Sequence, residues 1–437
     1  MSIRTVPDLG PATQLRLPES AERTLANGLT VIAVSRPSVP LVEARLRAPF
    51  ADTHLARSSV LAQTLLSGTE GKSTVDIAIE LQKIGGGLNA SNDPDRLLVS
   101  GNALAPELPR LLELLGEVLT GASYPEKEVE TERERLADRI RVALTQPSHL
   151  ARVALLKRMY GDHPYAVQTP EADEVLDVRS DGLRELHAER VHPNGATLVL
   201  VGEFGPEQAL DAAEQQLSGW NGAGGPVELP PVPALEPGPL RLLHREGSVQ
   251  SSLRLAFAAV PRTHPDHAAL QLANLVFGGY FSSRWVENIR EDKGYTYSPH
   301  SVVEHSAAGS ALVLSADVST EVTAPSVLET WYELGRIASL PVSEDELEQA
   351  RQYALGTLQL ALATQSGVAG LASSLAGFGL RLEWLAEHRR RLAEATRADV
   401  YAAASRYLAP ARGITVVVGD AEQVEQPLGV LTTVERA

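Results

Sequence analysis

The chain has no cysteine, which excludes disulfides, thiolate metal sites and a cysteine nucleophile. It is also short of positive charge, with 39 Lys and Arg against 55 Asp and Glu and a net charge of −16. That balance argues against nucleic acid or an anionic membrane as a partner. No apolar run reaches the roughly 18 residues that a membrane-spanning helix needs. The opening MSIRTVPDLGPATQLRL lacks a basic stretch followed by an apolar one, so no secretory signal is expected and the protein is read as cytoplasmic. The last absence is chemical. Residues 55–69, LARSSVLAQTLLSGT, read as the start of a helix built to hold a metal, yet they contain no metal ligand, and neither H-x-x-E-H nor H-x-x-x-H occurs anywhere in the chain.

At 437 residues the chain is too long for one core, and two domains are the default. Hydrophobic content of 43 % and charged content of 22 % are ordinary for a globular protein. Residues 221–239 hold six prolines and four glycines, a composition that interrupts helices and central strands. This stretch reads as a linker between an N-terminal domain, 18–220, and a C-terminal domain, 240–425. The flanking halves look alike. ATLVLVG at Ala196–Gly202 and GITVVVG at Gly413–Gly419 are offset by 217 residues, and ASYP at Ala122–Pro125 and ASLP at Ala338–Pro341 by 216. Two matches at nearly equal offsets indicate a duplicated domain.

Within each half, strands and helices are mixed. Gly28–Val34, Leu41–Leu46 and Leu97–Gly101 read as strands. Val60–Leu66, Val75–Ile84, Pro106–Thr120 and Glu126–Leu144 read as helices, with Ser73 capping the second. Val129, Leu136, Ile140 and Leu144 keep one face of the fourth apolar. Ser343 and Glu346 form a capping box for a helix reaching about Ala363. The expected class is α+β, with two homologous domains, each a mostly antiparallel sheet with helices packed on one face as half of a clamshell.

These segments, in this order and over roughly residues 20–420, resemble the short form of the M16 (insulinase/pitrilysin) metallopeptidases. The resemblance rests on Leu25-Ala26-Asn27-Gly28-Leu29, on Gly85 to Ser91 (GGGLNAS), on His163-Pro164-Tyr165, and on His192-Pro193-Asn194 ahead of ATLVLVG. It is most specific at Phe277 to Arg284 (FGGYFSSR), similar to L-G-G-G-x-S-S-R, and at Ile289 to Ser298 (IREDKGYTYS), similar to I-R-E-x-x-G-L-A-Y-S. The family carries an inverted H-x-x-E-H on a helix, followed by a Gly-Thr pair. Anchored on Gly68-Thr69, the two histidine positions fall on Ser59 and Gln63 and the general-base glutamate on Ala62. The third ligand, a glutamate about 76 residues further on, falls on Arg139, which lies 76 residues after Gln63. Zinc needs three nitrogen, sulfur or carboxylate donors and an open position for water. Ser and Gln are poor neutral donors, Arg repels the cation, and with alanine at 62 no carboxylate can take a proton from water. This chain is therefore expected to hold no metal of its own.

In two-chain M16 enzymes the resemblance implies that Arg290 and Tyr297 face the partner's zinc, where both side chains can donate to a scissile carbonyl or developing oxyanion. Read from the residues, Ser282 and Ser283 cap a helix reaching about Arg290, Gly294 ends it, and Tyr297 lies on the following strand. The remaining sites are structural readings. His264 and His267 sit in a surface loop, His187 and His192 straddle a helix end, and Gly85–Gly87 and Gly278–Gly279 serve close packing or turns, since neither continues as a phosphate loop. Three functions follow. The leading one is an inactive subunit of a heterodimeric peptidase, whose partner carries H-x-x-E-H and the zinc and whose substrate is unfolded peptide. The second is a non-enzymatic structural or peptide-binding protein, able to self-dimerise and to hold peptide on the Asn89-Ala90-Ser91 edge. The third is an active peptidase with a displaced metal site.

Overall fold

The structure is a computed structural model that describes residues 16–222 and 224–437. Most of the N-terminal stretch discussed above, and Ala223 of the linker, lie outside the described residues. The first half contains strands β1 (Ser20–Thr24), β2 (Thr30–Ser35), β3 (Leu41–Pro49), β4 (Gly87–Asn92), β5 (Arg96–Leu104) and β6 (Thr197–Gly202). Its helices are α1 (Leu55–Thr64), α2 (Thr74–Lys83), α3 (Leu108–Gly121), α4 (Glu126–Ala143), α5 (Pro147–Tyr160), α6 (Ala172–Leu176), α7 (Ser180–Arg190) and α8 (Pro206–Leu217). The second half contains β7 (Leu240–His244), β8 (Gln250–Ala258), β9 (His300–Ser306), β10 (Gly309–Ser319), β11 (Ile414–Gly419) and β12 (Val434–Arg436). With them come α9 (His267–Asn274), α10 (Arg284–Val286), α11 (Thr323–Ser339), α12 (Glu344–Ala363), α13 (Gln365–Ala376), α14 (Trp384–Glu394), α15 (Arg397–Tyr407) and α16 (Ala421–Leu431).

The strands form two six-stranded sheets, ordered β1-β2-β6-β3-β5-β4 and β12-β7-β11-β8-β10-β9. The repeated apolar runs become β6 and β11, each inserted in mid-sheet and each parallel to one neighbour, β2 or β7. The other pairings are antiparallel apart from the outermost pair of the second sheet, where β12 runs parallel to β7 while β1 is antiparallel to β2. The class is thus α+β, as the segment pattern implied.

Each sheet's own helices pack on one face, and the opposite face is closed by a helix of the other half. The inner face of the first sheet carries Val42, Ala44, Leu46 and Ala48 of β3 into a core with α1, α3, α4 and α8. Its other face, with Ile32, Val34, Val199 and Val201, is closed by Val368, Ala369, Ala372 and Leu375 of α13, a helix from the second half. The second sheet receives the converse: Leu155 and Met159 of α5 pack on Ala256, Val313, Ile414 and Val416. Each half lends a helix to the other. This explains why β2 and β6 are near-continuous apolar runs, because both their faces are buried.

Local signals behave as their chemistry requires. Ser73 caps α2 in a capping box with Asp76, and Ser343 does the same for α12 with Glu346. Gly86 abuts β5 so closely that a Cβ would lie 2.1 Å from the Asn102 carbonyl oxygen, which accounts for the glycine stretch as close backbone packing. Residues 221–222 and 224–238 have no regular structure.

Candidate functional site

The helices that carry Ser59, Ala62, Gln63 and Arg139 form one packed frame. Helix α1 packs against α4, α7 and edge strand β4, and the Asn92 amide of β4 reaches the Ser58 hydroxyl at 3.4 Å. Within that frame Ser59 is half-buried, Ala62 is buried, and Gln63 and Arg139 are exposed. These side chains do not fit zinc: they offer no imidazole and no carboxylate, and they include one permanent cation. Among the described residues no group of three or more His, Asp or Glu side chains is placed to hold a metal ion.

The second half holds the more organised constellation. After α9 the chain continues as a π-turn over Leu275–Gly279, and α10 runs into a second π-turn over Glu287–Asp292. Such widened turns recur at functional sites because they re-aim side chains out of helical register. The second is tightly held. The Trp285 indole donates to Thr330 of α11 at 2.9 Å, Asn288 donates to Glu329 and Glu333 at 3.0 Å each, and Arg284 grips Glu346 with two bonds of 2.6 and 2.8 Å. That guanidinium, with the Ser343 cap, holds the Glu346 carboxyl down at about 2. Gly294, at φ +65°, ends the turn in the left-handed region.

Arg290 and Tyr297 converge. The Arg290 Cζ lies 4.9 Å from the Tyr297 ring centroid and 4.7 Å from that of Phe281, inside cation–π range. Its Nε pairs with Glu291 at 3.1 Å. The rings are 82 % and 56 % exposed, so the cluster presents a guanidinium braced by two aromatics toward solvent. Such a group can donate to a peptide carbonyl or carboxylate while the rings take an apolar side chain beside it. Two details differ from the sequence reading. Tyr297 is not on a strand: it lies in a bend between the Thr296–Val318 bridge and β9. Ser283 occupies the N-cap of α10, but its hydroxyl donates to the Tyr280 carbonyl instead of accepting a cap bond. Phe281 was missed as a site residue, although an aromatic side chain in a Gly-Gly-Tyr-Phe-Ser-Ser loop, where nothing local buries it, was visible in the sequence.

The histidine readings need one correction. His264 lies in the loop, but His267 is buried at the start of α9. Its Nε2 lies 3.3 Å from His305 Nε2, and its ring sits 5.1 Å from that of His388, which stacks on Trp384. Sequence spacing missed the cluster because its members come from α9, β9 and α14. Burial pushes His267 down to about 2 and His305 and His388 to about 4, with neighbouring histidine and arginine charges acting the same way. His187 is half-buried between the Tyr124 hydroxyl and the Leu119 carbonyl, near the end of α7, where a structural role was expected.

The His163-Pro164-Tyr165 loop ties the halves together. His163 Nε2 bonds the linker carbonyl of Pro230 at 2.8 Å. The Tyr165 hydroxyl donates to Asp95 and accepts from the Ala308 amide at 3.0 Å, while Asp95 also accepts from the Ala307 amide at 3.0 Å.

Comparison with known proteins agrees with this architecture. The family profile described as insulinase (peptidase family M16) matches residues 58–172, and that described as the peptidase M16 inactive domain matches residues 177–353. Among curated relatives, an uncharacterized zinc protease of Bacillus subtilis, YmxG, is 24 % identical over 78 % of this chain and 83 % of its own. A probable inactive metalloprotease of the same organism, YmfF, is 25 % identical over 48 % of this chain and 50 % of its own. Of solved structures, a peptidase M16 inactive domain from Pseudomonas fluorescens superposes with a TM-score of 0.85 at 22 % identity, over 92 % of this chain and 98 % of that one. A protease from Helicobacter pylori gives 0.83 at 18 %, over 92 % and 100 %. Two profile matches that together span most of the residues between 58 and 353, a curated relative matched over most of its length and the shared fold lead to one assignment: the chain belongs to the M16 insulinase family of peptidases, and it carries both the N-terminal domain and the inactive C-terminal domain of that family.

Proposed function

We propose that this protein is the non-catalytic subunit of a two-chain M16 peptidase, with residues 18–220 and 240–425 as its two domains. In this reading it walls the substrate cavity, and Arg290 and Tyr297 reach the active site of a partner that carries H-x-x-E-H and zinc. The observation that carries the reading is an asymmetry. Ser59, Ala62, Gln63 and Arg139 stand on an intact α1–α4 frame without a metal-binding donor set, whereas Arg290, Tyr297 and Phe281 form an exposed cluster on a braced turn. The substrate would be unfolded peptide, oriented by the Arg290 and Tyr297 donors against its carbonyls.

The test is reconstitution. The purified chain alone is expected to cleave nothing. Mixed with an M16 chain bearing H-x-x-E-H from the same source, it should yield peptidase activity. Arg290→Ala in this chain should then lower kcat/KM about 100-fold, the cost of one oxyanion-type donor. Unchanged activity in that variant would sink the in-trans role.

A second reading, a peptide-binding protein without an enzyme partner, draws on β4 and β9, which are the outer strands of their sheets and can accept an extended peptide. It predicts a stable self-dimer that binds unfolded peptide with no H-x-x-E-H chain present.

A further inference from the structure

We propose that the seam between the two halves holds a binding site for a compact oxyanion, a phosphate or carboxylate group, gripped by Arg47 of β3 and Arg96 of β5. The inference is independent of the peptidase reading. Arg96 stands opposite Pro49 and Arg47 opposite Leu98 in the β3–β5 ladder, so the two arginines are diagonal neighbours on one face of the sheet. That face is the one α13 covers. Both guanidinia abut Gly377, the residue that closes α13: a Cβ there would lie 2.7 Å from Arg47 Nη2 and 2.8 Å from Arg96 Nη1. They border a cavity of about 430 Å³, whose wall also includes Thr197 of β6 and Ala307 of the β9–β10 turn.

Arg47 has no hydrogen-bond or ion-pair partner among the described residues, and Arg96 keeps one nitrogen free of its carboxylate pairs. The Nε of Arg47 and the Nη1 of Arg96 are buried without an acceptor. Burial, and then the charge of Arg96, lower the Arg47 guanidinium to about 10 against the opposing charges of Asp93 and Asp95. Carboxylates are close but committed. Asp93 takes the Nε and Nη2 of Arg96 at 3.1 and 2.9 Å. Asp95, which also lines the cavity, takes the Tyr165 hydroxyl and the Ala307 amide and stands 3.8 Å from Arg96 Nη2. Glu228, at the cavity rim, is exposed. The end of α13 offers little more, because the Ser373, Leu375 and Ala376 carbonyls accept from the backbone amides of residues 377–380 and none accepts from either arginine. Both arginines are half-buried, and a guanidinium nitrogen buried without an acceptor is costly, so such groups are ordinarily paired or bound to a counter-ion. An oxyanion between Arg47 Nη2 and Arg96 Nη1 would meet charge-assisted donors from both sides. It would also cross-link β3 and β5 of the first sheet to the segment after α13.

The test uses the full chain and follows its thermal midpoint. Inorganic phosphate is titrated against chloride at matched ionic strength, and acetyl-dialanine is compared with its C-terminal amide in parallel. Phosphate or the free-carboxylate peptide is expected to raise the midpoint saturably, by about 2 °C or more at saturation. Response to phosphate assigns a free inorganic anion; response to the acid but not the amide assigns a peptide terminus. Arg47→Met, which keeps the bulk and removes the charge, should abolish the rise. Gly377→Ala keeps both arginines but crowds the cradle, and should raise the half-saturating concentration about tenfold, a factor equivalent to 1.4 kcal/mol. The proposal is overturned if neither ligand exceeds its control in the wild type, or if Gly377→Ala and any folded Arg47→Met respond as the wild type does.

Discussion

Replacing Tyr165 by phenylalanine removes one oxygen atom from the seam. The ring is 1 % exposed and packs edge-on to Tyr160 and His163, so the aromatic body and its burial survive. The hydroxyl is lost as donor to the Asp95 carboxylate and as acceptor for the Ala308 amide. Burial and the accepting carboxylate both push the phenol's pKa up, so it is a proton donor throughout the working range. A hydrogen bond to a charged group contributes about 1.5–3 kcal/mol, and a buried amide left without its acceptor costs about 1–3 kcal/mol. Asp95 keeps the Ala307 amide, and water entering the gap recovers part of the loss. The expected destabilisation is about 3 kcal/mol. Urea unfolding should be followed by circular dichroism and by the fluorescence of Trp220 and Trp285, which report the first and second cores respectively. Asp95→Asn and the double variant complete a cycle whose coupling energy should exceed about 1 kcal/mol. A loss under about 0.5 kcal/mol, the range of ordinary surface changes, would refute the view that this hydroxyl fastens the halves.

Two further outcomes are expected. The triple variant Ser59→His, Gln63→His, Arg139→Glu should bind one zinc per chain by elemental analysis where the wild type binds none, since it restores three competent donors on the α1–α4 frame; failure to bind would show that the frame has lost more than its ligands. Stability should fall below pH 6.5, because His267, His305 and His388 are held neutral when folded, with pKa values depressed to about 2, about 4 and about 4. The unfolded chain then binds the extra protons, so the contribution is complete above about 6.5 and is lost as pH drops toward the folded values. At pH 5.5 the three groups together cost up to about 4 kcal/mol relative to pH 8, and His388→Gln should remove about a third of that slope in urea titrations.

The sequence made some of this plain and hid the rest for physical reasons. The alternation of Val42, Ala44, Leu46 and Ala48, the matched runs that became β6 and β11, and the Ser343–Glu346 capping box were legible because each is written in local spacing. The residue segment of Arg290 and Tyr297 was legible from its motif, but the π-turn that aims it and the bend that carries Tyr297 depend on anchors in α11 and α12, more than 30 residues away. Helix α13 announces an apolar face, yet periodicity gives no address for it, so its place on the other half's sheet was invisible. The same holds for His267, whose companions are distant in sequence.

The exchange of α5 and α13 bears on how the molecule moves. Hinge motion requires two bodies that part along a weak surface. Here each sheet would have to surrender the helix that seals one of its faces, exposing Val199 and Val201 on one side and Val313 and Val416 on the other. The chain is consequently stiff as a unit, and a clamshell made with a second subunit must gape between subunits instead of within this one. For the same reason a protease nick in residues 221–238 would cut the covalent thread and leave the two fragments interlocked.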